Sequence, residues 1–465
     1  MIHYSQEENE MNGVYLVNYS VKGIKNLEED VKLSFFKKTF TAKTTDFQNY
    51  NIKGIYGING SGKTAIITSV KIFKNLIINK DYLNNPFIQS QLNELINRKL
   101  LRMDFSGDFI ATYGHKPCLY HYEASVCRDK GGRIVIDREA LSTRLATSRS
   151  EEMKLLYEVN NGKIVSIAAT EQTYKDYLLD KTKNLLKASS VSSFVLDYIA
   201  DLNDTELLPD KSVFEGLLIL FLLGSNIYVY LDQTDEHADY FIDEALMDSD
   251  QVIDDEEKDN LQKAIRDLKR HRINELSVGK NTVSKMNYSN FEKRVSRLYE
   301  FISIFKRDLK NIVIDKKNDR ENYVCDLIMD YGQYKVNVEF ESTGIKKLIK
   351  LYEYFDEMAS GRIVFIDELD SNLHDVYLCA LLEYLMEYGK GQLCFTTHNI
   401  GPMDVLKRNK KSIDFLSVNH KIYSWTKNGN YSPANLYKNG MIEGSPFNID
   451  SIDFIGVFDA EEGDQ

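Results

Sequence analysis

The chain has 465 residues and carries 58 Lys and Arg against 70 Asp and Glu, a formal net charge of -12. This balance excludes a polycation that coats nucleic acid, although it leaves room for a local basic groove. Hydrophobic residues make up 43% and charged residues 28%, which excludes a disordered chain. Because the length exceeds what one hydrophobic core usually supports, we expect two lobes or one domain with a large insertion.

Cysteine usage and apolar runs indicate the compartment. The five cysteines are scattered without a CxxC pair, which is typical of reduced thiols in the cytoplasm. No apolar signal region follows Met1, and residues 216–224, the nearest candidate for a membrane span, are fewer than the roughly 20 that cross a bilayer. We therefore expect a cytoplasmic protein without membrane contact and predict that residues 216–224 form a buried core segment.

The first part of the chain predicts strands around one glycine-rich segment. Residues 14–21 alternate apolar and polar side chains, as a half-buried strand does, and a second strand is expected at 31–36. A short strand at 52–56 leads directly into the glycine-rich loop 57–64, and residues 65–78 have helical spacing. Strand, loop and helix in this order are the context that a phosphate-binding loop requires.

The middle of the chain contains predicted strand pairs and then a helical region with an acidic and a basic segment. Residues 118–136 predict a hairpin with its turn at 129–132, and residues 156–167 predict another pair of strands. Residues 173–305 are mostly helical by pattern. Within them, 232–257 carry many carboxylates and no Lys or Arg, and a basic stretch follows that includes Lys263, Arg266, Lys269, Arg270 and Arg272. This switch predicts either a solvated acidic loop before an amphipathic helix or a regulatory arm that docks a partner.

The last third alternates strands and helices. Strands are predicted at 311–314, 323–329, 334–340, 363–366, 392–396, 413–418 and 421–426, with a helix at 375–388. Such alternation favours an α/β core with a parallel sheet.

The glycine-rich loop matches the pattern GxxxxGK[ST] without a gap. Its glycines allow successive N–H groups to point inward at phosphates, and the following helix turns its positive end toward the anion. Lys63 adds a positive charge near the transferred phosphoryl group, and Thr64 offers a hydroxyl to Mg²⁺. We therefore predict that the loop binds ATP and Mg²⁺ through Asn59, Gly60, Ser61, Gly62, Lys63 and Thr64.

Two carboxylates follow the apolar strand 363–366. A buried parallel strand delivers its C-terminal residues to the ligand edge of the sheet. We expect Asp367 to hold the metal shell and Glu368 to orient the attacking water. An apolar run that ends in Asp-Glu is equally typical of a core strand with a surface turn, but the upstream loop favours the functional interpretation.

Three further motifs complete the pattern. Residues 369–374 resemble the dimer-contacting loop of ABC-type ATPases, and His398 ends the next strand, where those enzymes place a histidine that senses the γ-phosphate. Residues 341–346 look like a signature motif, so Ser342 and Gly344 are expected to close over the γ-phosphate held by a partner subunit. Taken alone, Ser342 predicts a helix N-cap and His398 a surface histidine.

Together these motifs resemble the small AAA-family, ABC/SMC-like ATPases of bacteria, which include ATPase subunits of the antiphage systems PARIS and Septu and the ATPase part of OLD-type nucleases. The resemblance covers residues 11–76 and 336–415. It implies an α/β fold: an ABC-type P-loop NTPase core with a mixed or parallel sheet, an N-terminal antiparallel β subdomain and a helical insertion. The expected division is 1–170 for the first half of the core with the β subdomain, 171–310 for the insertion and 311–465 for the second half.

Some residues depart from the family pattern. Ile345 stands where the signature usually has a polar residue, so the contact in trans is expected to be weaker. The lid glutamine is not fixed by the sequence, and Gln89 and Gln91 are the nearest candidates.

The insertion has no sustained heptad repeat. The stretch after His398 lacks the acidic cluster of a TOPRIM domain, so we expect any nuclease to be a separate chain.

The resemblance implies an ATP phosphohydrolase that forms a homo-oligomer, senses infection in a bacterial antiviral defence complex and controls a separate effector. A TOPRIM or HNH nuclease is the expected effector, and DNA or a phage protein is a further candidate partner. The alternative is a RecF/SMC-like DNA-binding ATPase of repair or recombination. Its candidate basic residues, which are equally typical of a solvated helix face, are Lys269, Arg270, Arg272, Lys407, Arg408, Lys410 and Lys411. A transporter ATPase would need a membrane partner and a different signature.

Overall fold

The computed structural model describes residues 13–36, 50–111, 117–148, 151–204, 211–231, 276–371, 373–409, 411–426 and 431–445. The acidic segment 232–257, the basic stretch after it, Asn372 and Lys410 lie outside these ranges, so both interpretations of the charged segment remain open.

Strands and helices both occur throughout the described part of the chain. In chain order, the strands are β1 (Val14–Lys22), β2 (Val31–Ser34), β3 (Ile52–Tyr56), β4 (Arg102–Ala111), β5 (Cys118–Arg128), β6 (Ile134–Leu145), β7 (Lys154–Asn160), β8 (Lys163–Ile167), β9 (Ile227–Tyr230), β10 (Asn281–Ser284), β11 (Asn311–Asp319), β12 (Asn322–Asp330), β13 (Lys335–Asn337), β14 (Ile363–Ile366), β15 (Gln392–Thr396), β16 (Ile413–Leu416) and β17 (Ile422–Ser424). The helices are α1 (Lys63–Ile78), α2 (Pro86–Leu95), α3 (Gln172–Lys181), α4 (Val195–Asp204), α5 (Lys211–Asn226), α6 (Tyr288–Phe305), α7 (Thr343–Ala359), α8 (Asp375–Tyr388), α9 (Pro402–Leu406) and α10 (Pro433–Lys438). Short 3₁₀ helices lie at Tyr82–Asn84, Val191–Phe194 and Val338–Phe340.

An antiparallel sheet is built mainly from the first part of the chain. Among the described residues its strand order is β2-β1-β4-β5-β6-β7-β8. Side chains alternate between buried and partly exposed along β4, so one face of the sheet packs inward. Phe73 of α1 fills that face, with its ring centre 5.4 Å from that of Tyr19 and 5.6 Å from that of Tyr122. The antiparallel sheet therefore packs against the helix that follows the glycine-rich loop.

A second, mostly parallel sheet positions the candidate site. Its order is β17-β16-β3-β15-β14-β9, and each described pair is parallel except β16 with β17. Every residue of β3, β14, β15 and β16 is buried, as expected for strands covered on both faces. The predicted mixed α/β fold with antiparallel and parallel sheets is confirmed.

Residues 171–310 contain two described strands besides their helices. β9 follows α5 directly and pairs in parallel with β14, with Ile227 opposite Ile363 and Tyr230 opposite Ile366. β10 joins a smaller sheet of order β10-β12-β11, in which β13 also pairs with β12. The pattern predicted a mostly helical region, and the β-branched and aromatic residues of β9 explain the strand there. The division into three parts stays a prediction.

The apolar run 216–224 lies within α5 and is buried, as predicted; Leu217, Leu220 and Leu223 are each 0% exposed. A Cβ on Gly224 would lie 2.5 Å from Cγ2 of Ile78, so glycine lets α5 approach α1 closely. None of the described helices is both long and apolar enough to cross a membrane.

Candidate functional site

The glycine-rich loop joins the end of β3 to the start of α1 at the edge of the parallel sheet. Gly60 and Gly62 have φ angles of 77° and 106°, a region that side chains rarely adopt. A Cβ on Gly57 would lie 2.7 Å from the carbonyl oxygen of Leu416, and one on Gly62 would lie 2.6 Å from Cδ2 of Leu27. Gly57 and Gly62 therefore cannot be replaced without moving their neighbours.

Side chains outside the motif hold the loop in place. Asn26 Nδ2 donates to the carbonyl oxygen of Gly60 at 2.9 Å. His420 Nδ1 lies 2.9 Å from the carbonyl oxygen of Ser61, close enough for a hydrogen bond. Both contacts fix backbone carbonyls, so the loop N–H groups keep their direction. The sequence contained no signal for these two residues, because a backbone carbonyl accepts from any nearby donor.

The loop has the groups that a phosphate anion needs. Ser61 is 2% exposed, and its Oγ has no hydrogen-bond partner within the described part of the chain. A buried hydroxyl without a partner is costly, and a phosphate oxygen would satisfy it. Lys63 Nζ donates to the carbonyl oxygens of Gly57 and Ile58 at 2.8 and 3.1 Å, which keeps the ammonium over the loop. The residues present therefore fit a bound nucleotide.

Burial lowers the pKa of Lys63 below its usual value, although the negative charges of Asp367, Glu368 and Asp370 oppose this shift. The same interactions show that the ammonium lies within electrostatic reach of these carboxylates, which follow β14. The structure thus brings the end of β14 to the glycine-rich loop, as the sequence predicted for two strands of one parallel sheet.

Thr396 contacts the carboxylate of Asp367 and the backbone of Glu368. It lies at the end of β15 and donates from Oγ1 to Oδ1 of Asp367 at 2.6 Å, while the N–H of Glu368 donates to the same hydroxyl at 2.8 Å. Asp367 is 7% exposed, whereas Glu368 is exposed to solvent. The sequence did not single out Thr396, which fixes the position of both acids.

An Mg²⁺ ion fits this donor set. Magnesium prefers oxygen ligands and usually takes one or two carboxylates together with substrate phosphates. Asp367 follows β14 and the exposed Thr64 is the second residue of α1, and both side chains carry such oxygens. Among the described residues, no group of three or more His, Cys, Asp or Glu could hold a metal ion. A carboxylate and a hydroxyl match the few protein ligands with which Mg²⁺ usually binds beside substrate phosphates.

His398 follows β15 and is exposed. Its pKa is lowered below the usual 6.5, first by desolvation from surrounding protein atoms and second by the positive charge of Lys63. The imidazole is thus neutral at pH 7 and offers one N–H donor and one acceptor. Lys63, Asp367, Glu368 and His398 interact electrostatically in one cluster, and their catalytic roles stay predictions.

Ser342 and Gly344 lie at the start of α7. Ser342 is the N-cap of α7, and its Oγ accepts a hydrogen bond from the N–H of Ile345 at 3.4 Å. It is exposed, and its hydrogen bonds stay within its own segment. Ile345 is 8% exposed and packs into the core, which explains an apolar residue at that position of the motif. One chain therefore shows the N-cap role, and no hydrogen bond of the described residues joins Ser342 or Gly344 to the glycine-rich loop.

Neither candidate for the lid glutamine contacts the loop. Gln89 Nε2 donates to the carbonyl oxygens of Leu83 and Ile134 at 2.7 and 2.9 Å, and its Oε1 accepts from the N–H of Ile134. This side chain ties α2 to β6. Gln91 is exposed on α2. The identity of a lid glutamine stays open.

Comparisons with protein families, curated proteins and solved structures give different results for this chain. No protein-family model matches it, and no curated protein matches it. Among solved structures, it is similar to "Structure of the recombination mediator protein RecF-ATP in RecFOR pathway" at 12% sequence identity, over 83% of this chain and 93% of that chain. The TM-score of that match is 0.29, too low to support a conclusion about fold or function.

Proposed function

We propose that this protein binds and hydrolyses ATP with Mg²⁺ at the glycine-rich loop. The observation that carries the proposal is the cluster of Lys63, Asp367, Glu368 and His398 beside a loop whose buried Ser61 hydroxyl has no partner among the described residues. A lysine at the phosphates, an acid that holds the metal and a residue that orients the nucleophile are recurring parts of sites that transfer phosphoryl groups.

Each residue has one role in this proposal. Loop N–H groups, Ser61 and Lys63 bind phosphate oxygens and neutralise their charge. Asp367 and Thr64 would hold Mg²⁺, which supplies charge stabilisation on the phosphates when bound. Glu368 orients and polarises the attacking water, and neutral His398 donates a hydrogen bond to the γ-phosphate.

We also propose that a second copy of the chain completes the site. Ser342 is exposed and Gly344 is half-buried at the N-terminus of α7, which is the positive end of a 17-residue helix. A helix N-terminus with a serine hydroxyl suits a γ-phosphate bound to the loop of another protomer. ATP would then stabilise the closed dimer, and hydrolysis would release it.

The proposed biological role is the ATPase subunit of a bacterial antiviral defence complex that controls a separate effector, with a nuclease as the expected effector. This part rests on the motif resemblance alone. Purification of the tagged protein from its native host together with its neighbouring genes tests it. Recovery of the protein only as a dimer with itself would count against the role.

The alternative role is a DNA-binding ATPase of repair or recombination. Two of its candidate basic residues form ion pairs within the chain: Lys407 with Asp404 at 2.8 Å and Arg408 with Glu383 at 2.7 Å. Such pairs reduce the local positive charge available to a phosphate backbone. This role requires ATP-dependent DNA binding that weakens steeply as salt rises.

The central experiment measures ATP binding and hydrolysis by the wild-type protein and two variants. Lys63→Ala is expected to abolish hydrolysis because it removes the cation at the phosphates. Glu368→Gln is expected to retain nucleotide binding and to lose on the order of 100-fold or more in kcat, because it removes the group that polarises water. Lys130→Ala, in the exposed turn between β5 and β6, is the control and should match the wild type. Full hydrolysis by Lys63→Ala would overturn the proposal.

A further inference from the structure

Lys347 is a buried lysine that the sequence motifs did not assign. It lies on α7 and is 4% exposed. Its Nζ donates to the carbonyl oxygen of Glu368 at 2.8 Å and also contacts Oγ of Ser371. The ammonium lies 5.8 Å from the ring centre of Tyr230, the last residue of β9. Because burial of a lysine charge is costly, these contacts have to offset a considerable desolvation penalty.

The backbone that receives this hydrogen bond has an unusual conformation. Glu368 has a φ of 49°, in the left-handed region that residues other than glycine seldom adopt. Such a conformation costs on the order of 1–3 kcal/mol and persists only where the surroundings hold it. The N–H of Glu368 is held by Thr396 at 2.8 Å, and its carbonyl oxygen is held by Lys347. One contact comes from β15 and the other from α7, so the residue is fixed from two sides.

We infer that Lys347 is a positioning residue that holds the Glu368 backbone in its left-handed conformation and thereby aims the Glu368 carboxylate at the attacking water. This inference rests on the proposed ATPase function. Lys347 touches no reacting atom, since its ammonium is directed at the backbone and at the loop after β14. Its contribution is therefore to the geometry of the chemical step and not to nucleotide affinity.

The variant Lys347→Met tests this role because it keeps the length of the side chain and removes the donor. Misplacement of a catalytic group by about 1 Å can cost about 100-fold in rate, so we expect kcat to fall by about 10- to 100-fold. The dissociation constant of a fluorescent ATP analogue should change by less than about twofold. Lys350→Met is the matched control, since Lys350 is a partly buried residue of the same helix without a hydrogen bond to the loop after β14.

A double variant separates positioning from general destabilisation. If Lys347 acts through Glu368, adding Lys347→Met to Glu368→Gln should leave the residual rate unchanged, because residues that act as a unit are not additive. A further drop equal to that of the single variant would overturn the inference, as would a wild-type kcat in folded Lys347→Met.

If Lys347→Met unfolds below the assay temperature, the variant Ser371→Ala is used to test the inference instead. This substitution removes one contact of the ammonium and leaves the buried lysine in place. A smaller loss of kcat at unchanged affinity supports the inference, and a wild-type kcat contradicts it. Absence of hydrolysis in the wild-type protein would instead refute the proposed function, so the two failures are distinguishable.

Discussion

The protonation state of His398 decides what this residue can do at the site. Desolvation and the charge of Lys63 lower its pKa, so the neutral imidazole persists below the usual 6.5. A cationic histidine beside Lys63 would add repulsion, whereas a neutral one can donate a single hydrogen bond to a phosphate oxygen. The neighbouring positive charge therefore favours the form that the proposed mechanism uses.

The neutral state of His398 predicts how the contribution of this residue to kcat depends on pH. Because the pKa of His398 is lowered, its neutral form is present at pH 7 and is lost only as the pH falls through a value below 6.5. The ratio of kcat for the wild type to kcat for His398→Gln should thus be constant from pH 8 to about 6.5 and should fall at lower pH. Glutamine does not titrate, so other groups cancel in the ratio. A ratio that is independent of pH down to about 4.5 would contradict the role of the neutral imidazole.

At the scale of elements, a buried ion pair joins β3 to β16. Lys53 Nζ lies 2.7 Å from Oδ2 of Asp414, and the two side chains are 1% and 0% exposed. Ser424 donates from Oγ to Oδ1 of Asp414 at 2.6 Å, and Lys53 also donates to the carbonyl oxygen of Lys411. Lys53 lies in β3, the strand that leads into the glycine-rich loop, Asp414 and Ser424 lie in β16 and β17 beside it, and Lys411 precedes β16.

Removing one partner of this pair should destabilise the fold. Lys53→Met leaves the Asp414 carboxylate buried without its cation, so the free energy of unfolding should fall by about 3–5 kcal/mol. The double variant Lys53→Met/Asp414→Leu should recover most of this loss, because neither charge then remains buried. Urea unfolding of the wild type, both single variants and the double variant measures the effect. A loss below about 1 kcal/mol for Lys53→Met would show that the pair contributes little.

The sequence predicted those elements whose signal is local. β3, the glycine-rich loop and α1 are contiguous, and the motif together with apolar periodicity identified all three. β9 gave no such signal, since its four residues follow α5 directly and its partner β14 lies far later in the chain. Its strand conformation depends on a pairing that only the folded chain provides.

In the candidate site, too, the sequence predicted the residues that belong to local motifs. Lys63, Asp367, Glu368 and His398 were found because their spacing from strands and glycines is characteristic. Residues that act through the backbone were missed: Thr396 and Lys347 both bind backbone atoms of Glu368, and the identity of the acceptor residue leaves no mark in the sequence around the donor. Such positioning residues become visible only in three dimensions.

At the scale of the whole molecule, the described residues of one chain form half of the proposed catalytic site. The described residues of one chain gather the glycine-rich loop, the two acids and His398, whereas Ser342 remains exposed at the start of α7. If two copies meet face to face, each supplies Ser342 to the loop of the other, and a symmetric dimer contains two equivalent sites. ATP would then time the assembly and release of a complex, which is the role proposed for the protein.

The most direct test of this account is ATP hydrolysis by a mixture of two inactive variants, Lys63→Ala and Ser342→Arg. Each variant alone should be inactive. In a Lys63→Ala dimer both sites lack the lysine ammonium, and in a Ser342→Arg dimer both sites lack the serine and are blocked by the arginine. After subunit exchange, a mixed dimer contains one site with both defects and one intact site, so activity should return to about a quarter of the wild-type rate. A mixture that stays inactive, or a fully active Ser342→Arg variant, would contradict a site shared between two chains.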